Sequence, residues 1–211
     1  MAQHSNTDFH SRSIGDYIAA LSSANPTPGG GSAAGLAGAL GCALGEMVCN
    51  LTLLKVDNDQ LAELAGIFST IADDLMSLGR RDELAFGAYR AAIALPRMTD
   101  DEKLVRRAAF EQSLVAAAEV PLAMIDVGFN AIDCLRTTAE IGTPHALGDL
   151  MTGSFLLQAM ILGALENVTV NAASMKSAEH RERFQAAIQS VSMDVETHLE
   201  ALQRAVAERT A

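Results

Sequence analysis

The chain has 211 residues, 49% of them apolar but only 4% aromatic, with no Trp. Such a chain can bury one core without cross-links, and its wealth of Ala, Leu, Met and Glu over aromatic and β-branched residues excludes an all-β fold. The formal charge of -11 argues against a nucleic-acid partner, which would need Lys and Arg against phosphates, and against docking on anionic lipid.

Residues 1–12 read as a polar tail with no secretory h-region. Residues 13–211 read as one all-α domain, an antiparallel helical bundle of long, partly kinked helices. Ile14, Tyr17, Ile18 and Leu21 recur at helical spacing and predict a first helix over Ser13–Ala24. The run from Asn25 to Gly31 breaks it. A long apolar helix follows, from Ser32 to Leu54, with Gly35, Gly38, Gly41 and Gly45 along one side. Each glycine costs about 1 kcal/mol of helix propensity, so close approach of a neighbouring backbone is expected to compensate.

Asp57-x-x-Gln60 reads as a capping box opening a third helix, with Gly79 expected to bend it and Leu95-Pro96 to end it. Thr99-x-x-Glu102 is a second capping box, and Pro121 is expected to kink or break the helix it opens, which runs to near Glu140. After a turn at Gly142-Thr143-Pro144-His145, helices are predicted over Leu147–Met175 and from Ala178 to Glu208. No stretch alternates with period two, so no strand is expected.

Two apolar stretches bear on a membrane. Ala33–Gly45 is 13 residues long before it meets Glu46, and Leu150–Leu165 carries Thr152, Ser154 and Gln158. A span needs about 20 apolar residues, so both are expected to be core helices, with no membrane partner. Cys42 and Cys49 share a predicted helix, with Cα atoms about 10 Å apart, too far for a disulfide. With Cys134 as an odd third and no C-x-x-C, reduced cytoplasmic thiols are expected. The five His and three Cys show no ligand spacing, so no metal is expected.

Pro28-Gly29-Gly30-Gly31-Ser32 feeding a helix is the most unusual local feature. It reads either as a flexible turn with Ser32 as N-cap, or as bare backbone that admits a ligand to the N–H groups at the positive helix end. No G-K-[ST] closes it and no strand precedes it, so it is neither a P-loop nor a dinucleotide fingerprint.

The string Pro26-Thr27-Pro28-Gly29-Gly30-Gly31-Ser32-Ala33-Ala34, continuing through Leu36–Gly41 to Met47-Val48-Cys49-Asn50-Leu51-Thr52, resembles the formiminotransferase-cyclodeaminase C-terminal family. Asp82 with Ala85-Phe86, Leu95-Pro96 with Thr99–Lys103, Val120-Pro121-Leu122, Asp149 and Asn167-Val168-x-x-Asn171 extend the resemblance in order. The chain departs from the family's pattern at Leu53-Leu54-Lys55 in place of Gly and a Lys run, at Leu84 in place of an acid, and at Thr143 in place of Asn.

The resemblance implies a small-molecule folate substrate, a tetrahydrofolate derivative, and a homodimer. It implies a cyclohydrolase opening methenyltetrahydrofolate, or a cyclodeaminase releasing ammonia from formiminotetrahydrofolate, or a diverged chain that holds folate without turnover. Asp82 and Asp149 are the carboxylate candidates for proton transfer and for the pterin edge. Pro28, Gly29, Gly30, Gly31 and Ser32, with Asn50, Asn167 and Asn171, are the candidate substrate-binding positions. Lys55, with the glycine-loop helix end, is the candidate for the anionic glutamate tail. Each has a plainer reading: Asp149 as a first-turn acid, Asp82 as a surface partner of Arg80 or Arg81, Lys55 as a dipole partner, and the Asn pair as bonded to backbone or a neighbouring helix. His145, in the turn, is either a base or ordinary surface.

Overall fold

The computed structural model describes residues 12–210, so nearly all of the expected tail lies outside the described residues. The helices are α1 (Ile14–Leu21), α2 (Gly30–Leu53), α3 (Asp59–Ala94), α4 (Asp100–Ile141), α5 (Leu147–Ser174) and α6 (Ala178–Thr210), with a short 3-10 turn at Pro144–Ala146. There is no strand among the described residues. The all-α bundle is as expected, but four local details differ.

Ser32 is not the N-cap of α2. The helix begins two residues earlier, with extended Gly29 at the cap position and no side-chain cap bond, and Ser32 is buried inside its first turn. The α3 cap is Asn58, whose side chain accepts from Leu61 N–H at 3.1 Å, rather than Asp57. Gly79 does not interrupt α3; it lies against Ser32, where a Cβ would come 3.3 Å from the Ser32 carbonyl oxygen. Pro121 does not break α4, which runs through it as one 42-residue helix. The Thr99–Glu102 capping box forms as predicted, and the bonds from Thr99 and Met98 N–H hold the Glu102 carboxyl below its ordinary range.

α2 is the centre of the bundle, packed between α3 and α5. Its glycines make this possible on two sides. A Cβ on Gly35 would sit 2.6 Å from the Leu75 carbonyl oxygen of α3, and one on Gly41 would sit 2.8 Å from the Gly153 carbonyl oxygen of α5. The propensity lost at these positions is therefore returned as backbone contact. α4 closes the bundle against α3 and α5, and α6 lies on α4 and α5. Contacts of Glu119 with Arg183 and of Asp133 with His198 show that α6 runs parallel to α4, and Gly45 beside Leu135 with Cys49 beside Thr138 shows the same of α2 and α4, as alternate helices of an up-and-down bundle do. Phe68, Phe184, Leu61, Leu75, Met124 and Met160 are completely buried in the common core.

By length and composition alone, Gly30–Leu53, Asp100–Ile141 and Pro144–Ser174 are long and apolar enough to cross a membrane. In the bundle their glycine and Ala faces pack on one another. Cys42, Cys49 and Cys134 are free, and burial pushes the Cys42 thiol up to about 12.

Candidate active site

A cleft of about 340 Å³ opens at the end of the bundle where α2 begins. Pro26, Thr27, Gly29 and Gly30 form its rim; Asp82, Phe86 and Tyr89 of α3, Leu114 and Ala117 of α4, and Asn167, Val170, Asn171 and Ser174 of α5 form its walls. Helical periodicity explains the grouping. Asp82, Phe86 and Tyr89 stand at i, i+4 and i+7, and the α5 residues at i, i+3, i+4 and i+7, so each set shares one face.

Gly31 is the glycine on which the site depends. A Cβ there would collide with the carbon and both oxygens of the Asp82 carboxylate. The missing side chain lets the carboxylate lie against the first turn of α2, where Ser32 N–H donates to it. This is the anion-accepting end of a helix. Burial still pushes the Asp82 carboxyl above its ordinary range, and the neighbouring Glu83 charge adds to the shift, while the Ser32 N–H opposes it.

Beneath Asp82 lies a buried polar network. Ser32 Oγ donates to Glu83 Oε1 at 3.0 Å, and Arg80 Nη1 donates to Glu83 Oε2 at 2.8 Å. The one Ser32 proton is thus committed, so the Tyr17 hydroxyl donates to Ser32 Oγ at 3.1 Å. Glu83, only 7% exposed, is partnered on both oxygens as a buried charge must be. The hydroxyl expected to cap α2 instead ties α1, α2 and α3 together.

The two asparagines of α5 both line the cleft and both hold backbone. Asn167 Nδ2 donates to Gly163 O at 2.8 Å in its own helix, and Asn171 Nδ2 donates to Ala117 O of α4 at 2.9 Å. Each thereby has its amide turned so that the oxygen, an acceptor, is left for a ligand together with the second N–H.

The structure thus brings together Gly29, Gly30, Gly31, Ser32, Asp82, Asn167 and Asn171, with Pro28 buried in the turn beside them. It does not bring Asp149, Asn50 or Lys55 to this cleft. Asp149 is exposed in the first turn of α5, about 27 Å along the helix from Asn167 at ~1.5 Å per residue. Asn50 lines a shallow groove with Glu46 and Leu54 near the far end of α2, and Lys55 is exposed just past that end. Sequence reasoning does not single out Phe86 and Tyr89 as site residues, although their spacing from Asp82 places them on its face. Nothing local marks Leu114, Ala117 or Tyr17, which depend on tertiary packing. Among the described residues, no three His, Cys, Asp or Glu side chains are grouped to hold a metal.

Known proteins supply the family. The sequence model of the formiminotransferase-cyclodeaminase family matches residues 13–190. The chain is 37% identical over 171 residues to methenyltetrahydrofolate cyclohydrolase of Methylorubrum extorquens, covering 75% of this chain and 78% of that one. It is 32% identical to formimidoyltransferase-cyclodeaminase of Gallus gallus over 75% of this chain but only 30% of that protein, so it spans about a third of that relative. A crystal structure of formiminotetrahydrofolate cyclodeaminase from Thermotoga maritima superposes with a TM-score of 0.83 at 21% identity, over 96% of this chain and 99% of that one, and so shares the fold. The chain belongs to the formiminotransferase-cyclodeaminase family.

Proposed function

We propose that the chain is a folate one-carbon enzyme that hydrolyses methenyltetrahydrofolate to formyltetrahydrofolate in this cleft, with Asp82 carrying the proton. The observation that carries the reading is the Asp82 carboxylate, seated on the first turn of α2 with its pKa raised by burial, inside a cleft where Asn167 and Asn171 each leave an amide oxygen as acceptor. The substrate's bridge is a delocalised cation and its pterin edge is rich in N–H donors, so an acceptor-lined, acidic cleft suits both. Phe86 and Tyr89, with ring centroids 6.0 Å apart and planes tilted by 36°, supply an aromatic wall on which one ring face can meet a heterocycle.

In this reaction water adds to the bridge carbon and gives one proton to Asp82. The adduct's hydroxyl loses its proton to solvent as the bond from that carbon to one ring nitrogen breaks. Asp82 then returns its proton to the freed nitrogen, so cation and water yield the formyl compound and one proton. Ser32 N–H is taken by Asp82, which leaves the Gly30 and Gly31 N–H groups at the uncapped start of α2 to meet charge that develops on the adduct oxygen.

The cyclodeaminase reading uses the same group as an acid: a carboxyl with a raised pKa stays protonated to higher pH and can protonate the departing nitrogen. A spectrophotometric assay decides. Loss of methenyltetrahydrofolate faster than the spontaneous rate supports the cyclohydrolase; ammonia release from formiminotetrahydrofolate supports the cyclodeaminase; binding without either defeats both.

A cytoplasmic homodimer belongs to the same reading. Leu40 and Leu51 of α2, Leu54 at its C-cap, and Phe155 and Leu162 of α5 are exposed, from 40% for Leu51 to 81% for Leu54. Two copies paired antiparallel along α2 and α5 would cover this surface. They would also set the Asn50–Lys55 end of one α2 beside the glycine end of the other, which is how those residues would reach a cleft distant in their own chain. Sedimentation is expected to give a dimer for the wild type and a monomer for Phe155→Glu; a monomeric wild type refutes the pairing.

A further inference from the structure

Pro121 lies within α4 and has no N–H to donate to the carbonyl four residues back, that of Ala117. A proline ring also crowds that carbonyl and turns it away from the helix axis. In this structure Ala117 O is the acceptor of the Asn171 side chain, at 2.9 Å from Nδ2. Ala117 and Asn171 both line the cleft, and Pro121 is one turn behind, buried.

A carbonyl oxygen can only accept, so the side of Asn171 that meets it must be the NH₂. The amide is thereby oriented, and its Oδ1 is left as the side chain's acceptor for a ligand, beside the second N–H of the NH₂. Without that anchor the amide could turn either face to the cleft. With it, Asn171 is an acceptor before substrate arrives, and the ordering cost of a free side chain is already met.

We propose that Pro121 is a positioning residue of the folate site: by leaving Ala117 O to Asn171, it fixes the Asn171 Oδ1 as an acceptor for an N–H of the reduced pterin. This rests on the folate reading of the cleft. It assigns to a helix-interior proline, the residue least favourable to a helix, a gain made in binding rather than in folding. Asn167 does not share this device, because its NH₂ turns back on its own helix at Gly163 O.

Two measurements test the proposal. In Pro121→Ala the new N–H takes Ala117 O back toward the axis, so KM for methenyltetrahydrofolate is expected to rise roughly 3- to 10-fold, the loss of about one hydrogen bond, with kcat changed much less. Asn171→Ala is expected to raise KM similarly, and the double variant no further, because both act through one contact. An unchanged KM in Pro121→Ala, or additive effects in the double variant, overturns the proposal.

The second measurement needs neither variant nor turnover. In the ligand-free wild type, the Asn171 side-chain amide is expected to give slowly exchanging, distinct NH₂ signals by NMR. Exchange as fast as a solvated amide overturns the proposal. If the wild type neither binds nor converts the folate, the function reading fails, and the amide signals still decide whether the anchor exists.

Discussion

Replacing Asp82 by Asn is expected to remove most of the folate-converting activity while making the protein more stable at neutral pH. The activity loss follows from losing the group that moves the proton, a change worth roughly 100- to 10,000-fold. Asn keeps an oxygen for the Ser32 N–H, so geometry is preserved and the loss reports chemistry. The gain in stability follows from the sign of the pKa shift. Burial first, and the Glu83 charge second, raise the folded-state pKa of Asp82 above its unfolded value. Folding is therefore opposed by Asp82 ionisation: the cost is absent below the unfolded pKa of about 3.9, grows as pH rises through the folded value, and is complete above it. Asn never pays it. Denaturant unfolding at about pH 8 should favour the variant and the difference should shrink towards about pH 4. A variant equally active, or less stable throughout, contradicts the role given to Asp82.

Much of this is legible in the sequence. The Pro28–Ser32 run and the spacing of Gly35, Gly38, Gly41 and Gly45 announce both the cleft and the seam, because an apolar helix gives up propensity at four glycines only where something must come close to its backbone. Asp82, Asn167 and Asn171 come from the family resemblance, and local periodicity alone accounts for the faces they share with Phe86 and Ser174. The departures have a common cause. Ser32 reads as a cap because a hydroxyl after a turn usually is one, yet Glu83, fifty-one residues on, holds it instead. Pro121 reads as a break because its missing bond is local, whereas the side chain that uses the vacated carbonyl comes from another helix. Asp149, Asn50 and Lys55 fall within or beside the family's segments, but position along a helix, not order in a motif, decides which end of the bundle a residue occupies.

Gly35→Ala is expected to destabilise the protein by about 2 kcal/mol or more, despite alanine's better helix propensity. The added methyl would meet the Leu75 carbonyl oxygen at 2.6 Å and the Gly79 backbone at 3.2 Å. Neither neighbour is a side chain that can swing aside, so α2 and α3 must separate. In a chain of this size, each kcal/mol lowers the melting temperature by roughly 2–4 °C. Gly66→Ala is the control. Gly66 is an exposed interior position of α3 with nothing within 4 Å of a new Cβ. There the same substitution should stabilise by about 0.5–1 kcal/mol. Thermal melts of the two variants with opposite signs would establish that the glycine seam, rather than glycine content, governs stability. Equal effects would refute it.

The Gly35–Leu75 and Gly79–Ser32 contacts join α2 to α3 one to two turns from Asp82. Main chain against main chain leaves no slack for sliding or rotation, so this helix pair behaves as a single rigid plank carrying the acid and the first-turn N–H groups. Any breathing that admits substrate or frees product is then expected on the opposite side, at the Pro26–Gly29 rim or in the α4–α5 wall that Asn171 ties together at Ala117. The chemistry sits on the immobile jaw, and release is left to the other.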